Sequence, residues 1–193
     1  MKLFQKWQPV SASDGCYLVF RRLAGVYSRF APVRAGSSSC ILLSMQITLV
    51  HIGPRPTAKD GYETLVRAYL HRCSSFARCQ PEAFRTEEAL LAWLSRQAGR
   101  TLPATVLLDS RGRQMSSEAL AAWLGARRDQ GTQHIIFAAG PADGWTDEAR
   151  TRAQLLLSLG PMTMAHSLAR LVMTEQIYRA FTILTGHPYH SGH

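Results

Sequence analysis

His134-Ile135-Ile136-Phe137-Ala138-Ala139-Gly140-Pro141-Ala142-Asp143-Gly144 is an apolar run that stops at a glycine-proline turn. Nothing polar interrupts it between Ile135 and Ala139, so a strand here is expected to be buried on both faces. Such strands belong to parallel sheets covered by helices on each side. Beyond the loop, Thr146 reads as an N-cap, with Asp147 and Glu148 in the first turn of a short helix. Leu155-Leu156-Leu157-Ser158-Leu159 is the next strand and Gly160-Pro161 its turn. A last helix is expected from about Ala165 to Thr185. Leu168, Leu171, Val172, Ile177, Tyr178, Phe181 and Leu184 make it apolar nearly all round, hence buried on several sides.

The same alternation continues toward the N-terminus. Ala104-Thr105-Val106-Leu107-Leu108-Asp109 is a second continuous apolar run, with Arg111-Gly112 as its expected turn. Ser116 caps a helix through about Arg128, with Glu118 near its start and Leu120 and Leu124 on one face. Thr86 caps an earlier helix that carries Glu87 and Glu88 in its first turn and Leu90, Leu91, Trp93 and Leu94 behind them. Ala77 to Phe84, interrupted by Pro81, fits an edge strand. Asp60 to Arg72 has helical spacing at Leu65, Val66, Tyr69 and Leu70. Met45 opens Gln46-Ile47-Thr48-Leu49-Val50-His51-Ile52-Gly53, a β-prone run ending at Gly-Pro. Strands alternating with helices predict an α/β fold, a mostly parallel sheet with helices on both faces.

The 193 residues suffice for one ordinary domain with a real core. The formal charge of +9 is uneven. Residues 1–44 carry Lys2, Lys6, Arg21, Arg22, Arg29 and Arg34 against Asp14 alone, and several serines without a clean period. This stretch reads as an N-terminal extension, disordered or upstream of a true start at Met45, with the domain proper over 45–193; the alternative is a transit peptide. A basic surface favours a polyanionic partner such as RNA. Cys16, Cys40, Cys73 and Cys79 form no C-x-x-C and have no His-rich partner set, so no metal is expected and reduced thiols in a cytoplasmic protein are the simpler assumption. Arg170, Glu175 and Arg179 break the most apolar run, Leu168 to Leu184, so no membrane partner is expected.

In open α/β sheets, ligands bind outside the carboxyl ends of the strands. Leu108-Asp109, Gly140 to Gly144 and Leu159 to Met164 stand at three such ends. There is no G-x-G-x-x-G and no G-x-x-x-x-G-K-[ST], so dinucleotide and P-loop readings have no support. Composition and spacing stop at an α/β domain with loops fit for a small ligand.

Leu107 to Glu118, Phe137 to Trp145 and Leu157 to His166 follow one another as three blocks, trailed by Glu175 to Phe181 and by Pro188-Tyr189-His190. In this order and spacing they resemble the RlmH family, the large-subunit ribosomal RNA pseudouridine N3-methyltransferases of the SPOUT class. The resemblance spans about Met45 to His190. It implies an S-adenosyl-L-methionine-dependent enzyme with a C-terminal trefoil knot, a homodimer acting on the assembled ribosome. By matched position, the cofactor-binding residues are Leu108, Gly140, Leu159, Gly160, Pro161, Met162, Thr163 and Met164. Leu159, Met162 and Met164 are candidates for an apolar adenine slot, and Gly140 for a close backbone approach to the ligand. Where the family has two adjacent glycines, this chain has Gly140-Pro141, and proline lacks the N–H.

Glu175 and Arg179 are spaced to pair along the last helix, and the Arg179 guanidinium is also suited to RNA phosphate and to the reaction site. His166 reads as a local hydrogen-bonding residue. The implied RNA-binding residues are Arg179, Tyr189 and His190, with the last two over the target nucleotide and His190 the candidate general base. Two other readings remain open: a ribosome-binding or assembly factor without turnover, and a SPOUT methyltransferase acting on tRNA.

Overall fold

The computed structural model describes residues 45–57, 60–97 and 102–190. The reading of residues 1–44 as an extension lies outside them. Among the described residues, five strands and five helices follow in order: β1 Gln46–Ile52, α1 Gly61–Cys73, β2 Arg78–Phe84, α2 Glu87–Gln97, β3 Ala104–Gln114, α3 Ser117–Asp129, β4 His134–Ala139, α4 Asp147–Arg152, β5 Leu155–Ser158 and α5 His166–Thr185. A short 3-10 turn, Pro188–His190, ends the described chain.

The expected helix starts are where the capping chemistry puts them. Thr86 accepts from the Ala89 N–H at 3.3 Å, Ser116 from Ala119 at 3.2 Å and Thr146 from Ala149 at 3.3 Å, and Asp60 adds a cap of its own on the Tyr62 N–H at 2.9 Å. Helix α5 starts after Ala165 with no side-chain cap and stops at Gly186, whose φ of 68° ends it in a left-handed turn.

All strand pairs are parallel and the sheet order is β2-β1-β4-β3-β5. Strand β2 is an edge, as the Pro81 interruption implied; Pro81 stands opposite Leu49 where only one side of the strand needs donors. Alternate residues of β4 supply two cores. Ile135 and Phe137 pack with Val66 and Leu70 of α1, Leu120 and Leu124 of α3, and Met173, Ile177 and Phe181 of α5. Ile136 and Ala138 pack on the other face with Leu90 of α2 and Ala149 of α4. Helices therefore cover both faces, and the two-sided burial read from the apolar runs follows.

One expected turn is a strand. Arg111-Gly112 lies inside β3, which continues to Gln114. The pairing jumps between Leu108 and Arg113, both of which face Leu157 of β5, so the strand bulges and then resumes. Gly112 has no room for a side chain: a Cβ there would stand 2.6 Å from the Leu156 carbonyl carbon. Glycine signals a turn in isolation, but here it admits a neighbouring backbone.

Candidate functional site

Because β3, β4 and β5 run in the same direction, their carboxyl ends open on one side. They enclose a cavity of about 620 Å³. Leu108, Gly140, Leu159, Gly160, Pro161, Met162, Thr163 and Met164 all line it. Met162 stands at the lip, 80% exposed, while Leu159 and Met164 are half-buried. Of the three adenine-slot candidates, Leu159 and Met164 form the sheltered apolar wall and Met162 the exposed rim.

The buried indole of Trp145 sets the floor. Its Nε1 donates to the Leu108 carbonyl at 2.8 Å. A Cβ at Gly140 would sit 2.7 Å from the Trp145 ring. Gly140 thus makes room for tryptophan, not for open cavity space, which changes the reason expected for that glycine. The loop closes on itself where the Gly144 N–H donates to the Pro141 carbonyl at 3.0 Å.

Two carboxylates fasten this loop to the rest of the domain. Buried Glu87 accepts from the backbone N–H of Thr146 at 3.2 Å and from its hydroxyl. Asp109 accepts from Arg150 Nε at 2.7 Å and from the Arg111 N–H at 2.8 Å. Burial pushes the Asp109 carboxyl up, but the bonds from Arg150 and Arg111 outweigh it and leave it below the usual range. Across the cavity, the Ser158 hydroxyl accepts from the Gly160 N–H at 3.2 Å and braces the start of the Leu159 to Met164 loop. Gly160 has a φ of 132°, a conformation that side chains disfavour.

Behind the cavity lies a polar cluster. Arg170 and Glu63, both fully buried, meet at 2.7 Å and join α5 to α1. His51 and His166 face each other with ring centroids 6.0 Å apart. Burial, with the nearby Arg170 charge, holds both imidazoles below their ordinary value. His166 lines the cavity, and its Nε2 is buried with no hydrogen-bond partner among the described residues.

Arg179, Tyr189 and His190 do not line this cavity within the single chain. Arg179 and Tyr189 gather beside α1, and His190 lies near Glu118 of α3. Tyr189 donates to Glu175 Oε1 at 3.1 Å, Arg179 Nη2 donates to the same oxygen at 2.7 Å, and the Arg179 guanidinium lies 5.0 Å from the Tyr189 ring centre. Tyr69 of α1 reaches the Tyr189 hydroxyl at 3.5 Å. Burial, then hydrogen bonding to Tyr69 and Glu175, drives the Tyr189 phenol up. The Pro188–His190 turn is thus held over α5, with Tyr189 against the Tyr178 ring at 4.8 Å.

The family model described as predicted SPOUT methyltransferase matches residues 45–190. This chain belongs to that family. Ribosomal RNA large subunit methyltransferase H of Koribacter versatilis (strain Ellin345) is 49% identical over 149 residues, 77% of this chain and 100% of the relative. The protein of the same name from Geobacter sp. (strain M21) is 47% identical over 154 residues, 76% of this chain and 99% of the relative. Among solved structures, a probable methylase family protein from Haemophilus influenzae Rd KW20 superposes with a TM-score of 0.46 at 12% identity, over 77% of this chain and 69% of that one.

In this SPOUT chain, the residues that sequence reasoning passed over are the ones that brace the cavity. Trp145 was inside a recognised block, yet nothing local marked its indole as a bridge between two strand ends. Glu87 looked like a helix-dipole residue, and only the fold turns it toward Thr146. Among the described residues, no helix is long and apolar enough to cross a membrane, and no group of His, Cys, Asp or Glu is arranged to hold a metal ion.

Proposed function

We propose that this chain is an S-adenosylmethionine-dependent methyltransferase that methylates N3 of a pseudouridine in large-subunit ribosomal RNA on the assembled ribosome. The observation that carries this reading is that one cavity, of about 620 Å³, is lined by every matched cofactor position. Its size falls in the range of about 300–1,000 Å³ usual for small-molecule sites. The lining fits the ligand: apolar Leu159 and Met164, exposed loop backbone from Gly160 to Thr163, and the unpartnered His166 Nε2. The names of the relatives at 49% and 47% identity point to ribosomal RNA as substrate.

Leu108, Gly140 and the Leu159 to Met164 loop would hold the cofactor. Bound there, S-adenosylmethionine supplies a methyl group already electrophilic on its sulfonium. The chain has little covalent work to do, so positioning by these loops dominates. A general base adds a modest factor by accepting the N3 proton, and His190 is assigned that role. Arg179 and Tyr189 serve RNA contact, by phosphate pairing and by ring stacking. Leu168 and Leu171 remain half-exposed on α5 and supply an apolar face for a second copy, which fits a cytoplasmic homodimer with a knotted C-terminal segment.

Titration calorimetry with S-adenosylmethionine tests the reading, since no binding by the folded protein would sink it. Mass spectrometry of ribosomal RNA from a deletion strain is then expected to show one pseudouridine without its methyl.

A further inference from the structure

A second cavity, of about 230 Å³, opens between β5, the start of α3 and the middle of α5. It shares Leu157, Ser158, Leu159 and Gly160 with the larger cavity, so the two adjoin along one stretch of chain. At Gly160 that stretch is backbone alone. No atom lies within 4 Å of the position where a Cβ would stand, and the φ of 132° discourages any residue that has one.

The walls and the rim of this cavity differ in character. Met115, Leu120 and Val172 supply apolar surface suited to the faces of a flat ring. Ser116 and Gln176 supply polar atoms with donors to spare. The Ser116 oxygen accepts from the Ala119 N–H at 3.2 Å, and its hydroxyl hydrogen can turn between the Glu118 carboxylate and the cavity. Gln176 Oε1 accepts from the Ser117 hydroxyl at 2.7 Å and Nε2 donates one hydrogen to Glu175 at 2.7 Å. Its amide is therefore held in one orientation, with the second Nε2 hydrogen unspent. Glu175 in turn takes the bonds from Arg179 and Tyr189, so a continuous hydrogen-bonded path joins this cavity to the C-terminal turn.

We propose that the second cavity receives the acceptor base, a uracil-type ring, with its carbonyl oxygens on the Gln176 and Ser116 donors and its reacting nitrogen toward Gly160. The proposal rests on the methyltransferase reading and deepens it. A uracil-type edge presents two carbonyl acceptors flanking an N–H, which matches spare donors at the rim. A ring with an amino group in place of one carbonyl would set donor against donor there. In the transfer, the ring N–H proton passes to the general base and the nitrogen electron pair forms the new bond to the methyl carbon. The carbon–sulfur bond breaks with its electrons returning to sulfur, and the sulfonium becomes a neutral thioether.

Val172→Phe decides the matter, because Val172 lines the smaller cavity and not the larger one. In the full-length protein, calorimetric affinity for S-adenosylmethionine is expected to stay near the wild-type value. Methyl transfer to large ribosomal subunits from a deletion strain should fall by about 100-fold, as expected when a reactant is displaced by an ångström or so. Turnover at the wild-type rate would overturn the proposal. So would a parallel loss of cofactor affinity, which would assign the second cavity to part of the cofactor. If the wild-type protein binds no cofactor at all, the methyltransferase reading itself fails. Should Val172→Phe not fold, Gln176→Leu provides the same split: retained cofactor affinity, with kcat/KM down by about 10-fold or more for the lost ring contact. Unchanged kcat/KM in Gln176→Leu would count against the assignment.

Discussion

The indole nitrogen of Trp145 donates to the carbonyl oxygen of Leu108 at 2.8 Å, and the same ring occupies the space a side chain at Gly140 would need. One buried side chain thereby couples Leu108, at the bulge in β3, to the carboxyl end of β4. Both are walls of the large cavity, so its floor depends on a contact between residues 37 positions apart.

Trp145→Phe keeps an aromatic ring and removes the donor. Stability should fall by about 1 kcal/mol, the usual worth of one such bond, read from the urea midpoint. Affinity for S-adenosylmethionine should also drop, because the Leu108 and Gly140 walls lose their brace. A stability loss with unchanged affinity would limit Trp145 to a packing role.

Gly140→Ala places a methyl group 2.7 Å from the Trp145 ring. Overpacking of this kind costs about 1–3 kcal/mol. Combining it with Trp145→Leu opens space for the methyl, so the double variant should be less destabilised than the two single costs added together. Thermal or urea unfolding of all three variants measures that coupling, and strict additivity would refute the steric account.

Glu63→Gln leaves the Arg170 charge buried without its carboxylate partner, which now sits at 2.7 Å. Breaking one side of a buried pair costs about 3–5 kcal/mol. Replacing both residues, as in Glu63→Leu with Arg170→Met, should recover most of that loss because no uncompensated charge remains. Chemical denaturation distinguishes the outcomes; equal losses in the single and double variants would contradict it.

Acid should weaken the fold through its histidines. Burial holds His51, His134 and His166 below the ordinary value of 6.5. Each contributes stability that is fully present above pH 6.5, where both folded and unfolded forms are neutral. As pH falls below that value the unfolded chain takes up protons first, and the contribution is lost through the lower folded-state value. The urea midpoint should therefore be flat from neutral to mildly alkaline pH and decline on acidification. His166→Gln should lessen the decline, and an unchanged slope in that variant would remove His166 from the account.

Much of the framework was legible because its signals are local. The His134 to Ala139 run is β4 to the residue, and Thr86, Ser116 and Thr146 cap the helices they were expected to cap. The loops that line the large cavity were also readable, since a parallel sheet exposes its carboxyl-end loops on one side whatever the details of packing. The order and spacing of short blocks along the chain resemble the SPOUT class without reference to tertiary structure.

What the chain alone determined, then, was the alternation of strand and helix, where the helices begin, and which loops meet. Hydrophobic period and capping are chemistry between residues a few positions apart. Tertiary structure alone decided that Gly112 admits β5 instead of making a turn, and that Gly140 yields its space to Trp145. It also decided that Arg170 finds Glu63, and that Tyr189 folds back onto Glu175 and Tyr69. Except for the Gly140–Trp145 contact within one loop and the Tyr189–Glu175 bond within the C-terminal segment, these contacts bridge elements that the strand order β2-β1-β4-β3-β5 brings together. No local pattern encodes which distant backbone or side chain will arrive beside a given residue.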